Sequence, residues 1–260
     1  MRSILVHGDR SPALDDRIRT GLALARAVEG HLTVLVDTPI TRYVAMDPMG
    51  GSYIASAAME QALAEDDRQA AKIEARLASE DCSFDVARSE AEPAEALIDA
   101  ARLADLVILS RSTGLAGELA LGSRCPVLVL RDGEALPQPI GKACVAWDGG
   151  NEAAAALRGA IPLLQRCDAV EVLTVTEKPG GFPAAEALRY LRQHGIEAQP
   201  HELQRSGSTE QTLAAAVAQS GCRLLVLGAY GRSRMREFLF GGVTRHFLED
   251  PAAPSLLMAH

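Results

Sequence analysis

Three features of the chain predict an α/β protein of two tandem domains, each an open five-stranded, mostly parallel sheet with helices on both faces. Hydrophobic residues make up 48% and aromatics only 4%, so the core is built from Ala, Val, Leu and Ile, as where helices pack on a parallel sheet. Apolar strand-like runs alternate with helical stretches along the whole length, which calls for parallel pairing and right-handed crossovers. The alternation also occurs twice, in the same order.

The first half opens with Ser3-Ile-Leu-Val-His-Gly-Asp9, an apolar run ending in Asp, and the second with Lys142-Ala-Cys-Val-Ala-Trp-Asp148. Each is followed by small or polar residues and a helical stretch, DDRIRTGLALARAVEG in the first half and EAAAALRGAIPLLQRC in the second. Next come the β-branched runs 32–36 and 170–175. Near the end of each half a helix leads into an apolar strand, closing at Ser110 and at Gly228, and a last strand follows a proline in CPVLVL and APSLLMAH. The segment RDGEALPQPIG, 131–141, reads as the linker. The expected domains are therefore 1–133 and 140–260.

The copies differ at one place in each. Ser110 to Pro126 spans 16 positions and Gly228 to Pro254 spans 26, so the second half holds ten more residues before its last strand. The first half instead carries DTPITRYVAMDPMGGSYIASAAMEQAL after its second strand, read as a loop leading into a helix through about Leu77. Tyr43, Met46, Met49 and Tyr53 of this insert either lid a pocket or pack as ordinary loop and helix.

The extra ten residues lie in GAYGRSRMREFLFGGVTRHF, 228–247, where Arg232, Arg234, Arg236 and Arg245 face Glu237 alone in a chain of net charge −8. Glycines let backbone approach a ligand closely, so successive N–H groups can converge on an anion. A helix over 243–249 would present its unpaired first-turn N–H groups to the same point. The local surplus of positive charge suits a phosphate.

A strand ending in Asp, the spacing Gly228-x2-Gly231-x9-Gly241, a helix and a Pro-led final strand together resemble the universal stress protein family in its tandem two-domain form. The resemblance covers nearly the whole chain. It implies a Rossmann-like fold with an adenine nucleotide, ATP or AMP, across the carboxyl ends of the strands, with or without a magnesium ion. Carried over, Asp148 meets the adenosine part, beside Ala146, Trp147 and Val175. Leu227 and Gly228 edge the ribose and adenine, and Gly231, Gly241, Gly242 and Val243 wrap the phosphates. Gly242 departs from the pattern, because the nucleotide binders of the family commonly place Ser or Thr there. The resemblance further implies that the final strands of the two halves pair antiparallel; dimerisation of the whole chain is compatible with it, and protein partners are unnamed.

Other readings stand beside these. Asp148 equally suits a turn or N-cap before its helix, Gly241 and Gly242 a plain loop, and the arginines solvated charge. In the first half Asp9 repeats the strand-ending carboxylate, but SRSTGLAGELALGSRCP has no room for a loop and helix of the same size, and Gly114, Gly117 and Gly122 have the wrong spacing. That half is expected to bind no nucleotide in this manner. Walker, GxSxG and HExxH motifs are absent, so no catalytic residue is assigned; the function that the resemblance implies is a stress-responsive regulatory protein. The alternatives are a nucleotide-free interaction module and a weak ATPase or self-phosphorylating enzyme.

The acidic balance argues against a general affinity for nucleic acid or anionic membrane. Five scattered cysteines form no CxxC pair, and the six histidines show no metal-ligand spacing. No signal peptide or long apolar run is read, and the expected location is the cytoplasm.

Overall fold

The computed structural model describes residues 1–46, 52–176, 182–230 and 242–260. It divides into two compact units, 1–108 and 109–260.

In the first unit, β1 (Ser3–His7) is followed by α1 (Leu14–Ala27) and β2 (His31–Asp37). A short hairpin of β3 (Val44–Met46) and β4 (Ser52–Ile54) then precedes α2 (Ser56–Leu77). β5 (Ser83–Ser89), α3 (Pro93–Ala100) and β6 (Leu106–Ser110), whose last two residues fall in the second unit, complete the series. The sheet runs β6-β1-β2-β5, all parallel. Its central strands are buried on both faces, with Ile4, Val6, Leu32, Val34, Leu106 and Ile108 at 0% exposure on one and Val107 at 0%, Leu5 at 2% and Leu35 at 3% on the other, as continuous apolar runs in a parallel sheet require. On α1 the apolar Leu14, Ile18, Leu22 and Ala25 recur at helical spacing and are buried, and Asp15 and Asp16 lie in the first turn where the helix dipole favours negative charge.

The second unit holds α4 (Ala116–Gly122), β7 (Val127–Leu130), β8 (Gly141–Ala146), α5 (Asn151–Leu164), β9 (Cys167–Thr176), α6 (Ala184–Gln193), β10 (Ala198–Gln204), α7 (Thr209–Ser220), β11 (Leu224–Gly228), α8 (Gly242–Glu249) and β12 (Ser255–Ala259). The strand order is β10-β9-β8-β11-β12-β7, parallel except for the last pair. β12 pairs antiparallel with β7, through Leu256↔Val129 and Met258↔Val127, so the two Pro-led final strands join within the chain as expected. α7 begins with a reciprocal capping box, Gln211 N–H donating to Ser208 Oγ and Ser208 N–H to Gln211 Oε1, worth about 1 kcal/mol.

Two expectations need correction. The insert of the first half contains a β-hairpin before its helix, not a plain loop, because Val44 to Met46 and Ser52 to Ile54 find each other as antiparallel partners. Met49 lies outside the described residues. The first half also does have room for a helix where the second has α8. α4 is seven residues against eight, so most of the ten-residue deficit lies before the helix. Among the described residues, no helix is long and apolar enough to cross a membrane.

Candidate functional site

The sequence-predicted residues that the structure describes collect at the carboxyl ends of β8, β9 and β11, the edge at which open α/β sheets hold ligands. Ala146 ends β8, partly buried. Trp147 continues the ladder by donating its N–H to Leu173 O (2.9 Å), and its ring is only 5% exposed. Val175 lies two residues beyond Leu173, the partner of Ala146, and is partly buried.

Asp148 is exposed, and its Oδ1 accepts the N–H of Gly150 at 2.8 Å. The turn is closed by Gly149 at φ +74°, a conformation natural to glycine, and Gly150 caps α5. The carboxylate thus shapes the turn that starts the helix and remains at the surface beside the helix N-terminus.

Leu227 is 2% exposed and belongs to the core. Gly228 has a different task. A Cβ on it would lie 2.5 Å from Ala153 N and 2.6 Å from Glu152 C, so only glycine lets the first turn of α5 rest on the end of β11. The Gly228 carbonyl accepts the Thr244 hydroxyl at 3.4 Å, and that hydroxyl accepts the Tyr230 N–H at 3.3 Å. Gly228 is therefore set between the first turns of two helices, α5 and α8, whose free N–H groups gather at one edge.

Thr244, 2% exposed, is a positioning residue that sequence reasoning missed. A hydroxyl two residues beyond the expected Ser/Thr place was its signal. Tyr230 adopts φ +62°, rare for a side chain of its size, and burial pushes its phenol pKa up. Next to it, Ala229 O accepts from the His260 ring at 2.9 Å, which puts the proton on Nδ1.

Gly242 starts α8 in an exposed position, followed by the partly buried Val243. The Glu210 carboxylate lies 3.5 Å from where a Cβ on Gly242 would stand. Arg245 is engaged by Glu249 at 2.7 Å, one helical turn on. Gly231 and Gly241, with Arg232, Arg234, Arg236 and Glu237, lie outside the described residues. Among the described residues no group of three or more His, Cys, Asp or Glu side chains is placed to hold a metal ion.

The first half repeats the turn but closes it with its own charges. Ser11 N–H donates to Asp9 Oδ1 at 3.0 Å, matching Gly150 on Asp148. Arg17, fully buried on α1, also bonds Asp9 Oδ1. Burial alone would raise the Asp9 pKa; the Ser11 hydroxyl and the Arg17 charge outweigh it and hold the carboxyl below its ordinary value. Around this pair, His7 Nε2 bonds Asp37 at 2.7 Å, Thr38 donates to Asp66 at 2.8 Å, and Arg10 spans Asp66 and Glu65 at 2.6 Å each. Asp66 comes from α2, so the helix after the hairpin packs within its own unit and contributes to this network.

An open, mostly parallel sheet whose strand ends meet two helix N-termini defines a class, the α/β proteins that hold small anionic ligands at that edge. Residues 139–257 match the model of the universal stress protein family, so the second half carries a domain similar to that family. Over the whole chain the fold is similar to a universal stress protein from Archaeoglobus fulgidus DSM 4304, with TM-score 0.68 and 15% identity, covering 99% of this chain and 96% of that one. It is also similar to a functionally unknown protein from Pseudomonas aeruginosa PAO1, with TM-score 0.59 and 17% identity over 100% and 92% of the two chains. A universal stress protein family protein from Arabidopsis thaliana with AMP bound matches 46% of this chain over 90% of its own, at TM-score 0.34 and 13% identity. No curated protein matches the chain.

Proposed function

We propose that the C-terminal half binds an adenine nucleotide, ATP or AMP, and that the protein acts in the cytoplasm as a stress-responsive regulator without strong catalytic activity. The reading treats 1–133 and 140–260 as the two repeats. The observation that carries it is the placing of Gly228 between the first turns of α5 and α8. That arrangement brings two positive helix ends to the carboxyl edge of the sheet, beside the exposed Asp148. Asp148, with Ala146, Trp147 and Val175, takes the adenosine, and Leu227 and Gly228 form the floor. Gly231, Gly241, Gly242 and Val243 supply backbone N–H groups to the phosphates, and a magnesium ion accompanies a triphosphate.

The first half has no equivalent vacancy for charge, because Asp9 is already paired with Arg17. One nucleotide per chain is the expected stoichiometry.

A second reading, a nucleotide-free interaction module, draws on one observation. The Glu210 carboxylate stands beside Gly242, where the family commonly has a phosphate-binding hydroxyl.

Mass spectrometry of the small molecules released from freshly purified, denatured protein decides between them, followed by calorimetric titration with AMP and with ATP and magnesium. Near-stoichiometric adenylate, or saturable heat at one site per chain, supports the nucleotide site. Neither result would leave the interaction module.

A further inference from the structure

Phe182 is the most exposed large apolar residue described in the second unit, at 59%, yet its backbone is fixed at both sides of Asp148. Its N–H donates to Gly149 O at 3.2 Å, and its carbonyl accepts the Trp147 indole N–H at 3.0 Å. Ordering a residue without covering it costs conformational entropy that no burial offsets. The buried indole of Trp147 spends its one hydrogen bond on this attachment, which holds the Phe182 backbone beside the Asp148 turn at the carboxyl edge of the sheet. A ligand arriving beside Asp148 supplies the missing cover.

The other apolar groups near this edge offer little face to a planar ring. Trp147, Leu227 and Tyr230 are 5%, 2% and 8% exposed, and Val175 is aliphatic. We infer that Phe182 is the base-stacking residue of the site: its ring lies against the purine of the bound nucleotide, and it gives the site its preference for nucleotides over sugar phosphates. The inference rests on the nucleotide-binding reading above. Its chemistry is π-stacking, which tolerates any flat base and leaves the choice of adenine to polar groups.

The test compares wild type, Phe182→Ala and Phe182→Tyr by calorimetric titration with AMP and with ribose 5-phosphate, which keeps the sugar and phosphate but lacks the base. Thermal melts of all three control for folding. Phe182→Ala is expected to weaken AMP about fivefold or more, fivefold being the low end of base–aromatic stacking. Phe182→Tyr should stay within about twofold, since the ring is kept, and ribose 5-phosphate should bind all three alike. The inference is overturned if Phe182→Ala binds AMP as wild type does, or if it weakens ribose 5-phosphate as much as AMP. Wild type that takes up neither AMP nor ATP with magnesium overturns the nucleotide reading itself and this inference with it, a result distinct from a wild type that binds beside an unchanged Phe182→Ala.

Discussion

Arg17 of α1 bonds the carboxylate of Asp9, and the position eight residues beyond Asp148 is Ala156. One substitution between the repeats thus separates a carboxylate neutralised from within from one that faces solvent. Removing the guanidinium strands Asp9 in a polar pocket with its main counter-charge gone. Arg17→Ala is expected to destabilise the protein by about 3 kcal/mol, read as a lower urea midpoint. Adding Asp9→Ala should recover part of that loss, because the unpaired charge is removed as well.

The same pair makes the stability acid-sensitive. The Asp9 carboxyl is held below its ordinary value of 3.8, so its contribution is fully present above that pH and is lost as pH falls through the depressed folded value. The urea midpoint should drop on acidification below about pH 4. Asp9→Asn should start from a lower midpoint at neutral pH and show a shallower acid decline; an equal decline would place the acid sensitivity elsewhere.

At Gly228 a single methyl group meets backbone atoms at 2.5 and 2.6 Å, which cannot rotate away. Gly228→Ala is expected to cost about 1–3 kcal/mol through overpacking. By shifting the first turn of α5 it should also weaken AMP binding in calorimetry. A variant that loses stability and keeps full affinity would separate the packing of α5 from ligand binding.

Thr244→Val removes the hydroxyl that joins α8 to Gly228 O and Tyr230 N–H. Leaving that amide without its acceptor should cost about 1–2 kcal/mol. Thr244→Ser, which keeps the hydroxyl, should retain most of the stability in the same urea titration.

Near Gly242, Glu210 is the charge to test. Glu210→Gln should raise affinity for ATP more than for adenosine, because like-charge repulsion acts on the phosphates alone. Gly242→Ser is accommodated, since the nearest atoms to its new Cβ are Glu210 side-chain atoms at 3.5 Å and beyond. Its hydroxyl lies within reach of that carboxylate, so the gain in ATP affinity should be larger in Gly242→Ser/Glu210→Gln than in Gly242→Ser. If Glu210→Gln weakens ATP instead, the carboxylate serves the metal ion of the bound nucleotide. Trp147, the single tryptophan, gives an intrinsic fluorescence readout for all these titrations.

The strands and helices were legible because their signals are local. Apolar runs such as Leu106–Ser110 are buried on both faces, and the helical spacing of Leu14, Ile18 and Leu22 follows from one turn of backbone. The repeat, the helix ending at Leu77 and the antiparallel meeting of β7 and β12 follow from the same patterns. The hairpin at 44–54 escaped because its strands are only three residues each, too short for alternation to register.

The sequence by itself determined the two α/β repeats, the turn built on Asp9 and on Asp148, and the glycine spacing of the second half. Only the tertiary structure decided what each of these groups touches. Arg17 occupies the apolar stripe of α1, a visible sign that it needs a buried partner, but that partner became Asp9 only when β1 and α1 packed. Gly228 reads as one more strand-ending glycine until α5 is laid against it, and Phe182 shows nothing in sequence until Trp147 and Gly149 hold its backbone. Hydrophobic period is written along the chain, whereas a close approach or a charge pair depends on residues brought together from different elements.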